Sequence, residues 1–237
     1  MNILGIEINN LSREEIIDRV KFFLDDPQFH QIATINPEFL LEAEENNAFR
    51  STLQICDLRI ADGFGITLAF LLKGTQLKCR FPGVDLMEKI LFIANEKHLK
   101  VYLAIRKNGL SSFQEVKDAL SKKYPNILIN GADIDVLSHH LSLITYPASV
   151  VLCNFGAPSQ EIFLASLKNT SSNIRLAVGI GGSFDYLTGK MTRAPQCMRL
   201  VGLEWLWRLI QQPKRFKRIW NAVILFPFRV ILSIIRP

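Results

Sequence analysis

Short runs of apolar, mostly β-branched residues recur along this chain, and segments with helical spacing separate most of them. Strands are expected at Ile3–Ile8, Gln31–Ile35, Leu58–Ala61, Lys100–Ile105, Ile127–Ile129, Val150–Asn154 and Arg175–Val178. Between them the helix-start signals are local. Ser12 reads as an N-cap with Glu15 closing a capping box, and Ile16, Ile17, Val20 and Phe23 form the stripe to be buried. Asp85 to Glu88 repeats that signal before Ile90. A polar-faced helix from Ser111 to Lys123 ends at Tyr124-Pro125, and Pro158 can begin another through Gln160 and Glu161. Such alternation predicts an α/β fold, a Rossmann-like sandwich with a mostly parallel sheet. In such sheets ligands sit outside the carboxyl ends of the strands, so the loops there are where chemistry belongs.

After about residue 190 the character changes. From Trp205 to the C-terminus there are seven Lys or Arg and no Asp or Glu, against a formal net charge of +6 for the whole chain. Pro195 to Gln212 reads as one amphipathic helix with Trp205, Leu206, Leu209 and Ile210 on its apolar side. Lys214, Arg215, Lys217 and Arg218 follow, then the apolar run Ala222–Ile235, broken by Pro227 and Arg229. A spanning helix needs about 20 apolar residues, and this run is shorter. It suits a segment lying in the membrane interface with its basic residues toward anionic headgroups. The alternative is a C-terminal helix docked on the core with its charges solvated. We therefore divide the chain into a core over residues 1–194 and a basic, amphipathic helical appendage over 195–237.

Other classes are disfavoured. The N-terminus lacks a basic stretch followed by a long apolar one, so no signal peptide is expected. Cys56, Cys79, Cys153 and Cys197 form no C-x-x-C pair, and His30, His98, His139 and His140 show no H-x-x-x-H spacing. The reading is a reduced, cytoplasmic, metal-free protein.

Four strand-end loops carry polar or glycine-rich sequence. In Thr34-Ile35-Asn36-Pro37-Glu38, Asn36 can cap a helix that Pro37 opens, and the free amides there suit a phosphate or sugar hydroxyl. In Ala61-Asp62-Gly63-Phe64-Gly65, Asp62 would stand at a strand's carboxyl end, as a general base or as part of a plain Asp-Gly turn. Asn154 to Glu161 and Gly179 to Asp185 supply glycines that let backbone approach a ligand. Neither a dinucleotide-binding G-x-G-x-x-G after the first strand nor a P-loop occurs. The D-x-D pair Asp133/Asp135 is expected to start a helix rather than hold a metal.

Taken in order, Thr34–Glu38, Ala61–Gly65, Arg80–Leu86, Gly156–Glu161, Gly179–Asp185, Gly189, Arg193–Pro195 and Gly202–Arg208 resemble the WecG/TagA/CpsF family of bacterial glycosyltransferases, from about residue 5 to about residue 220. The resemblance implies an inverting, metal-independent and cofactor-free transferase. Its donor would be UDP-activated N-acetylmannosamine or its uronic acid. Its acceptor would be a sugar on undecaprenyl diphosphate, at the inner face of the bacterial membrane, in cell-surface polysaccharide biosynthesis. Carried over, Asp62 matches the proposed catalytic base, and Thr34 and Asn36 match polar residues beside the donor sugar. Arg80 and Gln160 match pocket residues, joined by Glu161, Gly181 and Gly182. Arg208, Arg215 and Arg218 match arginines that meet the lipid diphosphate. Expected partners are thus the UDP-sugar, the polyprenyl-diphosphate-linked acceptor and an anionic membrane surface, not nucleic acid; homo-oligomerisation is left open.

Two segments depart from the family pattern, both expected near the nucleotide: Ile105 to Gly109, where a glycine-proline loop is usual, and Gly131 to Asp135. Arg106 and Lys107 could supply charge to phosphates there. The readings that compete are the same mechanism with a glucose- or galactose-type donor, and a non-catalytic membrane-surface protein on the same fold. Metal independence is directly checkable: transfer should survive EDTA with no added divalent ion. Abolition by chelation with recovery in Mg²⁺ or Mn²⁺ would reinstate Asp133 and Asp135 as ligands.

Overall fold

The computed structural model describes residues 1–136, 147–169, 173–200, 202–213 and 216–235. Lys214, Arg215, His139 and His140 lie outside the described residues. Six strands form one parallel sheet: β3 (His30–Ile35), β4 (Leu58–Ala61), β5 (Lys100–Arg106), β6 (Leu128–Ile134), β7 (Val150–Cys153) and β8 (Leu176–Gly179). Their order is β4-β3-β8-β7-β5-β6. All carboxyl ends therefore lie along one edge of the sheet. At the N-terminus, β1 (Asn2–Ile3) and β2 (Ile6–Glu7) form a small antiparallel hairpin. The single strand expected over Ile3–Ile8 is broken because Leu4 and Gly5 turn the chain with φ of 49° and 83°.

Period-two alternation divides the central strands between two cores. On one face Ile32, Leu103, Leu152 and Val178 pack with α1 (Arg13–Asp25), α5 (Gly83–Glu96) and α6 (Phe113–Lys123). On the other, Ala33 and Ile35 pack with α2 (Pro37–Glu45), α3 (Asn47–Ile55) and α4 (Phe64–Leu72). Beside them Tyr102, Ala104, Val151 and Ala177 pack against α7 (Ser159–Ser166). Burial on both faces is why these strands read as unbroken apolar runs.

Several helix starts follow the expected chemistry. Ser12 caps α1 and Ser112 caps α6, each with a full capping box, and Asn36 Oδ1 accepts the Phe39 N–H at 3.1 Å. The signal at Asp85 to Glu88 is not a start: α5 begins at Gly83, and Asp85 binds Arg193 at 2.7 Å instead. Asp133 does not start a helix either. It lies in β6, extended by its parallel ladder to β5, and its Oδ1 accepts the Phe113 N–H at 2.9 Å. The carboxylate thus serves the N-terminus of the neighbouring helix α6.

The C-terminal segment differs from expectation in two ways. Pro195–Gln212 is not one helix but α9 (Gln196–Leu200) and α10 (Glu204–Gln211). Gly202 breaks them with φ of 77°, and a Cβ there would stand 2.5 Å from the Phe64 ring. The apolar run is not short in space. The helix α11 (Phe216–Trp220) continues through a π-helical turn (Asn221–Leu225) into α12 (Phe226–Ile235). The wider turn lets the chain pass Pro227, which lacks an N–H, without losing helical direction. The continuous helix Phe216–Ile235 has mean hydropathy 1.7 over its most apolar window and is long enough to cross a bilayer. It nevertheless rests on the core: Phe226 and Val230 are fully buried in the cluster formed by α2 and α4. Phe228, Ile231, Ile234 and Ile235 remain exposed. α8 (Ser183–Leu187) completes the helices between sheet and appendage.

Docking by two buried side chains is testable. A Phe→Ala change in a core costs about 3–5 kcal/mol, but here it acts on a terminal helix. Phe226→Ala with Val230→Ala should leave the melting of the core cooperative, while limited proteolysis between residues 216 and 235 accelerates at least roughly tenfold. Unchanged cleavage would mean the helix is held by other contacts.

Candidate active site

The carboxyl ends of β3, β4, β5, β7 and β8 open into one cleft of about 560 Å³. Asp62 stands one residue beyond β4. Its backbone N–H donates to Ile35 O at 2.7 Å, prolonging the ladder by one rung. Gly63, with φ of 87°, then turns the chain into α4. A residue with a Cβ would be strained there. The Asp-Gly turn and the strand-end carboxylate are thus one device: the turn aims the side chain into the cleft.

Burial pushes the Asp62 carboxyl from an ordinary 3.8 up to about 6. The Arg208 guanidinium opposes that shift, Glu204 reinforces it, and the Gly83 N–H and Arg80 oppose it further. Gly83 is the first residue of α5, so the carboxylate faces the positive end of a helix. Above about pH 6 Asp62 is an ionised group with raised basicity, suited to accept a proton near neutrality.

Thr34 and Asn36 line the same cleft. Thr34 is buried and its hydroxyl donates to Gly179 O at 3.4 Å, so it braces β3 against β8. Asn36 spends its oxygen on capping α2, and its amide nitrogen carries the donors left for a ligand. Gly181 and Gly182 line the wall after β8, Gly181 with φ of 50°. Gln160 lines the wall after β7, but Glu161 does not: it is fully buried behind it, and burial pushes its carboxyl up to about 8. Glu161 is placed to support the wall, not to touch what fills the cleft.

Three arginines reach the cleft from the appendage side. Arg80 donates to Arg199 O at 2.6 Å, tying the loop before α5 to α9. Arg208 donates through Nε to the Tyr186 hydroxyl at 2.9 Å and lies over that ring. Arg218 grips Glu38 through Nε at 2.8 Å and a second nitrogen at 2.5 Å. The sequence-predicted Arg215 lies outside the described residues. Glu38, Glu204 and Trp205 line the cleft, and Tyr186 holds Arg208, yet none carries a functional signal of its own in the sequence. The first three stand inside the ordered family motifs, and only their meeting at the cleft distinguishes them from helix-surface residues.

The two departing segments separate in space. Arg106 and Gly109 border the cleft, with the Arg106 N–H bonded to Asn154 Oδ1 at 2.7 Å. Residues 131–134 belong to the edge strand β6 and are not among the described cleft residues, so the expectation that both segments border it holds for one. Among the described residues there is no group of three His, Cys, Asp or Glu that could hold a metal.

At the carboxyl edge of this parallel sheet a strand-end carboxylate, glycine loops and three arginines thus share one cleft. The full length of the chain, residues 1–237, matches the model of the glycosyl transferase WecG/TagA/CpsF family, and the protein belongs to that family. It is 29% identical over 203 residues to an N-acetylglucosaminyldiphosphoundecaprenol N-acetyl-beta-D-mannosaminyltransferase of Bacillus subtilis (strain 168), covering 84% of this chain and 78% of the relative. It is 25% identical over 236 residues to a protein of the same name from Staphylococcus aureus (strain MRSA252), covering 97% and 91%.

The Asp62 environment predicts opposite effects on activity and stability. With the folded carboxyl raised above its unfolded value, the neutral form favours folding. That contribution is present below about pH 4 and is lost as pH rises through about 6. Asp62→Asn should therefore raise Tm at pH 8 while cutting turnover roughly 10²-fold or more. Wild-type turnover should climb with pH through an apparent pKa near 6. Turnover of the Asn variant within a few-fold of wild type would assign the base to another group.

Proposed function

We propose that this glycosyltransferase moves a hexose, N-acetylmannosamine or its uronic acid, from a UDP-sugar to a sugar on undecaprenyl diphosphate, with inversion at the anomeric carbon. The observation that carries this reading is the placement of Asp62, with its raised carboxyl, in a cleft walled by Arg80, Arg208 and Arg218. The relatives' names supply the sugar and the acceptor.

Inversion needs one displacement. Asp62 takes the proton from the acceptor hydroxyl as the oxygen attacks the anomeric carbon. The bond to the donor diphosphate breaks, and UDP leaves with the electron pair. Thr34 and Asn36 stand beside the transferred sugar. The leaving charge meets the loops after β7 and β8, through backbone donors other than the Gly156 and Gly181 N–H groups that Gln160 holds, and the Arg106 guanidinium at the far wall. Arg208 and Arg218, with Arg215, receive the acceptor diphosphate, for which Arg218 exchanges its partner Glu38. Charge on arginines and amides does the work that a divalent ion does elsewhere.

We further propose that the appendage holds the protein on the inner face of the membrane. Phe228, Ile231 and Ile235 are exposed on the same continuous helix that carries the exposed Lys217 near its start. Insertion of those apolar side chains would be salt-resistant, and the attraction of the basic residues, about 1 kcal/mol each, would fall with salt. The appendage then has two separable jobs. Phe228→Ser with Ile231→Ser and Ile235→Ser, which spares the buried Phe226 and Val230, should release the protein from anionic liposomes. The same variant should keep turnover of a short, water-soluble acceptor diphosphate within roughly threefold. Arg208→Ala with Arg218→Ala should do the reverse, lowering soluble-acceptor turnover at least roughly tenfold, the scale of losing a charged hydrogen bond. Full turnover by the double arginine variant would make the segment an anchor alone. UDP release from a panel of UDP-sugars with a GlcNAc-diphosphate acceptor identifies the donor, and no release from any would overturn the transferase assignment to this donor class.

A further inference from the structure

Both polar atoms of the Gln160 side chain are bonded inside the protein. Its Oε1 accepts from the Gly156 N–H at 3.0 Å and from the Gly181 N–H at 3.3 Å. Its Nε2 donates to Glu161 Oε1 at 2.6 Å. One oxygen thus joins the loop after β7 to the loop after β8, and both loops line the cleft. Behind it, Glu161 Oε1 takes a hydrogen bond from Nε2, which sets which end of the amide faces the two loops.

Glu161 is held in turn. Its backbone O accepts from Gln31 Nε2 at 3.1 Å, which ties the first turn of α7 to β3. Its side chain is fully buried, and its Oε2 has no hydrogen-bond partner among the described residues. A carboxyl in that position is costly unless it does something for the structure around it. Gly179 makes the space: a Cβ there would intrude within van der Waals contact of both Gln160 Nε2 and Glu161 Oε1. Three residues, Gly179, Gln160 and Glu161, therefore form one unit.

We infer that Glu161 is a positioning residue. It orients Gln160 so that one amide oxygen clamps the Gly156 and Gly181 loops at the spacing that presents their backbone to the donor diphosphate. The role in donor binding rests on the UDP-sugar reading above; the clamp itself does not. Glu161 acts here as an acceptor and not as a charge, so an amide in its place keeps the function. Burial, which pushes this carboxyl up to about 8, is consistent with a neutral group near pH 7.

The test uses the full chain and three variants, Glu161→Gln, Glu161→Leu and Gly179→Ala. Amide hydrogen exchange at Gly156 and Gly181 reads the clamp, and calorimetric titration with UDP reads its consequence. Glu161→Leu should speed exchange at both glycines at least roughly tenfold, the equivalent of one lost hydrogen bond. It should weaken UDP binding and raise the donor KM by a similar factor, with kcat within roughly threefold. Gly179→Ala keeps both clamp side chains but displaces them, and should reproduce those losses. Glu161→Gln should stay within roughly threefold of wild type in every readout. Exchange unchanged in the Leu and Ala variants would overturn the clamp. So would a Glu161→Gln variant as impaired as Glu161→Leu, since that would require the carboxyl itself. If wild type failed to bind UDP, the donor reading would fall, while the exchange rates would still decide the clamp.

Discussion

A parallel sheet buried on both faces has nowhere to place polar chemistry except at the ends of its strands. Ile32 and Ala33, or Val101 and Tyr102, point into opposite cores, and each core is apolar. Polar groups are costly in such surroundings, and the few buried ones, Gln31 and Glu161 among them, are tied to one another. The carboxyl ends then gather what the cores reject: Asp62 after β4, Asn36 after β3, Gly181 and Gly182 after β8, Gln160 after β7 and Arg106 at the end of β5. Their order across the sheet follows the strand order, not the order in the chain. Asp62 is consequently at one flank of the cleft and Arg106 at the other.

The second organising feature is the appendage. It packs over the flank that carries Asp62, and it brings both signs of charge. Arg208 lowers and Glu204 raises the basicity-determining shift on Asp62, so the segment tunes the residue that it also covers. Its attachment is a mixture of packing and charge. Phe226 and Val230 are buried apolar anchors, Gly202 allows contact with Phe64, and Arg80 and Arg218 cross-link the two parts by hydrogen bonds. The Arg218–Glu38 pair is exposed and weak by nature. An exposed pair is the kind of contact that a more highly charged group can displace.

The cleft walls show how glycine loops are held in place by buried polar side chains. Backbone amides are useful to an anion only if their carriers do not drift. Here the carriers are glycine loops, the least restrained backbone there is. Gln160 and Glu161 restrain them from inside the fold, and Thr34 braces β8 from β3. Rigidity is thereby supplied by buried polar groups, while flexibility of the glycines keeps the close approach sterically open.

Much of this was legible in the chain. Seven apolar runs located the six sheet strands, although the first proved to be a hairpin because Leu4-Gly5 turns. Ser12 and Asn36 announced their helices through local hydrogen bonds that depend on a few adjacent residues, and the helix expected from Ser111 starts one residue later, capped by Ser112. Asp85 and Asp133 misled for the converse reason. Each had a start-like setting, but its carboxylate was committed to a distant partner, Arg193 or the Phe113 N–H. The ordered motifs identified the family and picked out Asp62. They did not separate Gln160, which faces the cleft, from Glu161 behind it, since adjacent residues on a helix diverge by a rotation that only its packing orients. Nor did they show that Pro227 leaves the last helix continuous, or which of its faces is covered. Sequence by itself determined elements and chemistry, because periodicity, caps and motifs act over a few residues. Tertiary structure alone decided which groups meet and how strongly burial shifts them, because those depend on contacts between residues far apart in the chain.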